Sequence, residues 1–169
     1  MGVLISNDAG VDALLQEDEV AQVVEVTLAL EGVERPCEVS VSFVDVDEMR
    51  ALNAEWRHID APTDVLSFEC DSPFDEGLPA DETVELGDVM LAPDVIAGQA
   101  SEFGQTPVEE CRLMLVHGLL HLLGYDHIAE DEALLMEGRE EAILCELAIR
   151  RGDDPDTVRI GPTTRHVAD

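Results

Sequence analysis

A chain of 169 residues, 46% of them hydrophobic, is long enough to bury one core of ordinary size without disulfides or a partner. It contains no apolar run near the roughly 20 residues that a membrane-spanning helix needs. Its formal charge of −30, with nine arginines and no lysine, opposes an anionic membrane surface. It also counts against nucleic acid, because phosphate binding ordinarily asks for a basic face. Much of the acid lies in residues 12–34 and 69–88, where no basic residue occurs, so most of these carboxylates read as a solvated surface that keeps the chain soluble.

In chain order, Val3 to Ile5 is a short apolar stretch of strand length, and an acidic helix is expected from about Val11 to Leu30. Residues 37–45 alternate, with Val39, Val41 and Phe43 on one side and Ser40 and Ser42 on the other, as a half-buried strand does. Asp45 can cap a helix in which Met49, Leu52, Trp56 and Ile59 recur at helical spacing, and Pro62 follows its end. Residues 65–68 (VLSF) form a second buried strand, 69–84 a long acidic loop, and Leu86 to Leu91 a further strand. Pro93 opens a helix that runs to Phe103 and stops at Gly104. Thr106 caps and Pro107 opens the next helix, which ends near Leu123. Its last turns, LMLVHGLLHLL, are apolar all round except for two histidines, so this helix is expected to be buried. Asp131 to Arg151 is a final amphipathic helix. The layout is α+β, about five helices on a small four-stranded mixed sheet, with one domain over 1–151 and a flexible tail over 152–169. The N-terminus has no basic-then-apolar signal, and Cys37, Cys70, Cys111 and Cys145 stand singly. Reduced, partly buried thiols and a cytoplasmic location are expected.

Three of five histidines fall within 117–127, HGLLHLLGYDH. On a helix, His117 and His121 project one above the other from one face. Gly124 can take the left-handed conformation that ends the helix, and the turn through Tyr125 and Asp126 can return His127 to the same point. Three neutral imidazoles from so short a segment suit one zinc ion, with a fourth position left for a reacting ligand. The opposing view, three unrelated histidines, requires separate hydrogen-bond partners for two buried rings. The spacing is also that of the metzincin peptidases, except that Gly118 stands where those enzymes carry their glutamate base. A mid-helix glycine points to a close backbone approach or close helix packing.

Beyond the histidines, NAEWRHIDAPTDVLSF (53–68), LGDVML (86–91) and VHGLLHLLGYDH (116–127) resemble, in order, the motif blocks of the YbeY family of bacterial endoribonucleases. The resemblance implies a zinc-dependent cut in single-stranded RNA and action in small-subunit ribosomal RNA processing. It implies ribosomal RNA, the small ribosomal subunit and its assembly factors as partners, and Arg57 as a functional arginine. Arg50 and Arg57 share a helix face with Asn53 between them. Arg57 can grip phosphate through paired hydrogen bonds or sit in solvent beside an acid. Asp126 can orient an imidazole or bond the turn's backbone, whereas Asp64, Ser67 and Asp88 suit strand-edge roles. No general base is assigned. Two other readings remain at this level, an assembly factor with a mainly structural zinc and a metal-dependent hydrolase of a non-RNA substrate such as a peptide.

Overall fold

The structure is a computed structural model and describes residues 2–126 and 128–160. Along the chain run β1 (Gly2–Ser6), α1 (Glu17–Leu30), β2 (Cys37–Phe43), α2 (Val46–Arg57), β3 (Val65–Glu69), β4 (Val84–Leu91), α3 (Pro93–Ala100), α4 (Pro107–Leu122) and α5 (Glu130–Arg151). The sheet order is β1-β2-β4-β3, with the first three strands parallel and β3 antiparallel at one edge. This is the expected α+β architecture, a four-stranded mixed sheet with five α-helices among the described residues.

α4 is the centre of the molecule. Thr106 accepts a hydrogen bond from the Glu109 N–H at 3.2 Å while the Glu109 carboxylate accepts from the Thr106 N–H at 2.9 Å. This reciprocal cap satisfies two donors that a helix start otherwise leaves open. From Glu110 to Leu120 every residue except Arg112 is buried, and the helix packs against α1, α3, α5 and both β3 and β4. A helix apolar on all sides has been given neighbours on all sides. Its one buried charge near the start, Glu110, accepts from Gln99 at 3.0 Å and Gln105 at 2.9 Å. Gln99 also donates to Asp64 at 2.8 Å, which ties α4 to the head of β3.

The expectations for two helices need correction. α1 starts at Glu17 rather than Val11, because Leu14 takes φ 68° and its N–H is captured by the Asp12 carboxylate at 3.1 Å. Leu15 is still buried, so the apolar pattern there records packing without helix. α2 begins as expected, with Asp45 accepting from the Glu48 N–H at 2.8 Å. Its apolar stripe is only half a core face, however. Met49 is fully buried, whereas Trp56 is 61% exposed and Ile59 lies beyond the helix, which closes at left-handed His58.

The strand alternation of β3 distributes its residues between two layers. Val65 and Ser67 face α4, while Leu66 and Phe68 join Met49 in a second cluster beneath α2. Gly87, on β4 opposite Glu69, has φ +129°, and a Cβ there would run into the Phe68 carbonyl. Only glycine lets β3 and β4 close at this point. The four cysteines are free. Burial, with help from Glu19, pushes the Cys111 thiol up to about 12. Cys70 is exposed, contrary to expectation, because it follows directly on β3 into the acidic loop. Past α5, Val158 and Ile160 pack on the main core.

Candidate active site

α4 delivers His117 and His121 to one wall of a cleft of about 340 Å³, and the edge strand β3 with the end of α2 supplies the other walls. His117 is fully buried and His121 partly so. Their Nε2 atoms stand 3.1 Å apart, with the rings nearly perpendicular at 88°. Two nitrogens sharing one tetrahedral zinc at about 2.0–2.1 Å lie about 3.3 Å from each other, so this pair fits a shared divalent ion with little movement.

Each ring has a polar group behind it. His121 Nδ1 lies 2.9 Å from the Tyr125 carbonyl, which can only accept. In the neutral ring the proton therefore belongs on Nδ1, which leaves the Nε2 lone pair facing His117. The carbonyl is placed by the turn. The Tyr125 N–H bonds the Leu120 carbonyl and the Gly124 N–H bonds the His121 carbonyl, both at 3.0 Å, with Gly124 at φ +103°. That is the paired closure of a helix ending on glycine. On the other ring, His117 Nδ1 faces Glu140 Oε2 at 3.6 Å, both groups fully buried. At 3.6 Å this is not a hydrogen bond; a carboxylate so placed would orient the imidazole and raise its basicity toward a metal if the two closed by a few tenths of an ångström.

Gly118 is packed against the sheet. A Cβ there would stand 2.7 Å from Val89 Cγ1, and the Ser67 hydroxyl donates to the Gly118 carbonyl at 3.2 Å. A larger side chain at this position would have to displace Val89 and crowd Ser67 and Val65, so the site disfavours the glutamate base of the peptidase pattern. Asp126 accepts from the Ile128 N–H at 3.2 Å, bonding the turn's backbone. Asp64 accepts from the Val65 N–H at the head of β3, and Asp88 is exposed on β4.

Arg57 lines the same cleft. Arg50, on the same helix face, is committed elsewhere through paired hydrogen bonds to Asp60 at 2.7 and 3.1 Å. That contact holds Arg50 above and Asp60 below their ordinary pKa values. Asn53 between them is buried and donates to the Ala61 carbonyl. Arg112, Arg139, Arg150 and Arg151 pair with Glu19, Glu31, Glu146 and Asp153, and Arg35 and Arg159 bond backbone carbonyls. Among the described residues, the Arg57 side chain is the arginine that makes no ion pair or hydrogen bond.

His127 lies outside the described residues, and among the described residues no group of three potential ligands converges. The site thus contains two of the three expected histidines and Arg57 in one cleft. Two features escaped sequence reading. Glu140 occupies a core position of α5, four residues after buried Met136 and three before buried Ile143, and a carboxylate at such a position was the available signal. The aromatic rim was concealed because Trp56 fell at a helical spacing that suggested core and Phe68 at the end of a strand expected to be buried.

In class this is an α+β domain that presents two facing helix-borne imidazoles, and at the end of α2 an arginine unpaired among the described residues, to one cleft beside an edge strand. The comparisons select within it. The family model for Endoribonuclease YbeY matches residues 5–148, and the chain belongs to the YbeY family. Proteins named Endoribonuclease YbeY include one from Chloroflexus aggregans, 42% identical and covering 88% of this chain and 96% of the relative. Another, from Caldanaerobacter subterraneus subsp. tengcongensis, is 40% identical over 89% of this chain and all of the relative. A solution structure of a Thermotoga maritima protein superposes with TM-score 0.56 at 25% identity, covering 93% of this chain and 99% of that one.

Proposed function

We propose that the protein is a zinc-dependent endoribonuclease that cuts single-stranded RNA and acts in small-subunit ribosomal RNA processing in the cytoplasm. On this reading its partners are the small ribosomal subunit and its assembly factors, and residues 1–151 are one catalytic domain. The observation that carries the reading is the 3.1 Å approach of the His117 and His121 Nε2 atoms in the same cleft as Arg57. Family membership supports the RNA substrate. His117, His121 and His127 would hold the ion, which when bound supplies positive charge and Lewis acidity at the scissile phosphate.

The chain's own residues do the rest. The Tyr125 carbonyl keeps the His121 proton on Nδ1, and Glu140 turns His117 toward the same point. Arg57, which pairs with no acid among the described residues, binds the phosphate and offsets charge that develops on it during the reaction. The packing of Gly118 against Val89 removes the position from which a peptidase glutamate would act, and this weighs against the peptide-hydrolase reading.

Arg57→Ala should keep the wild-type melting temperature and lose about 10- to 150-fold in single-strand cleavage, the range for one charge-assisted hydrogen-bonded contact. Arg57→Lys should restore only part of this loss, because a lysine cannot reproduce the fork. Wild-type cleavage by Arg57→Ala would remove the arginine from the reaction.

A further inference from the structure

Trp56 is the only tryptophan in the chain and is 61% exposed. It stands next to Arg57, lines the cleft that holds both histidines, and meets Phe68 in an edge-to-face contact, ring centroids 5.8 Å apart at 64°. This contact fixes the indole beside the cleft without covering it. An apolar ring left in water at the mouth of the cleft lacks the burial that ordinarily places a tryptophan.

We propose that Trp56 is a stacking platform for one unpaired nucleobase of a strand whose neighbouring phosphate meets Arg57; the inference rests on the RNA reading above and names how that site holds its substrate. Charge is the second line of support. At a net −30, and with the other described arginines already engaged, the chain has few cations to offer a polyanion, so phosphate contacts alone bind weakly. Beyond the ion and Arg57, further attraction is best drawn from a source that does not depend on charge. A base stacked on an aromatic ring is such a source and is tolerant of sequence. Stacking also selects the strand, since bases in a duplex already stack on each other and present no open face. Single-strand preference then follows from one side chain and needs no further recognition.

Because Trp56 is the sole indole, the full-length protein's own tryptophan fluorescence reports on it directly. The probe is a short single-stranded 2′-O-methyl oligoribonucleotide, titrated beside an abasic oligomer with the same backbone and a duplex of the same sequence. The base-bearing strand should quench the emission, and the abasic and duplex oligomers should not. With a labelled strand read by anisotropy, Trp56→Ala should weaken binding about 5- to 150-fold, the span for loss of one base–aromatic stack. Trp56→Phe should recover most of it, with matched thermal melts establishing that both variants fold. Equal binding by Trp56→Ala, or equal quenching by the abasic oligomer, would overturn the proposal. Quenching by an aromatic peptide but not by the strand would overturn it in favour of a protein ligand. Cleavage of unmodified RNA by the metal-loaded wild type is scored separately. Cleavage without quenching sinks the stacking site and leaves the nuclease reading intact, and quenching without cleavage does the reverse.

Discussion

Glu140 and Gly118 show how residues that touch no substrate shape the site. Glu140 is fully buried at 3.6 Å from His117 Nδ1, so on the proposed reading Glu140→Gln should lower zinc affinity by about 10- to 100-fold. A chelator competition on the folded variant measures this, and unchanged affinity would leave Glu140 with a packing role alone. Gly118→Ala gains helix propensity of about 1 kcal/mol, yet its new methyl meets Val89 Cγ1 at 2.7 Å. Overpacking against a stiff β-branched neighbour costs about 1–3 kcal/mol. A net loss of about 1 kcal/mol in urea unfolding is the expected balance, and a stabilised variant would contradict the packing argument. The histidine spacing and the identity of Gly118 were plain in the sequence. The carboxylate behind His117 was not, because it comes from another helix some twenty residues away and only tertiary packing brings the two together.

Among the elements, local signals located most boundaries. The Asp45 and Thr106 caps and the Gly104 and Gly124 stops all lie where their chemistry indicated. α1 began late because side-chain capture of the backbone at Asp12 outweighed an apolar periodicity, and α2 turned an aromatic outward because its last turn overhangs the cleft. The parallel pairing of β2 with β4 sets Glu38 beside Glu85. A hydrogen bond with Glu38 and its negative charge raise the Glu85 pKa above the usual carboxylate range. A carboxyl whose folded pKa is raised binds more protons folded than unfolded. Its contribution therefore worsens as pH rises from the ordinary glutamate value through the raised one. Glu85→Gln should accordingly melt higher than wild type at neutral pH and lose this advantage in acid. A uniform gain at every pH would assign the effect to something other than the carboxylate pair. The Asp60–Arg50 contact has the opposite sign, since it stabilises above the ordinary aspartate pKa and fades as pH falls through the lowered one.

For the whole molecule, an extreme acidic charge coexists with a cleft that contains two facing imidazoles and the arginine left unpaired among the described residues. Global composition opposed nucleic acid, whereas the arrangement of a few residues favours it, and no composition can report which arginines are already paired. The central claim is that this cleft cuts single-stranded RNA through its histidines. The most direct test compares zinc-loaded wild type with a folded His121→Ala variant on labelled single-stranded RNA, a duplex and a peptide. Wild type should cut the single strand alone, and the variant should cut nothing. Equal cutting by both proteins, or no cutting by wild type with one zinc bound per chain, would contradict the account.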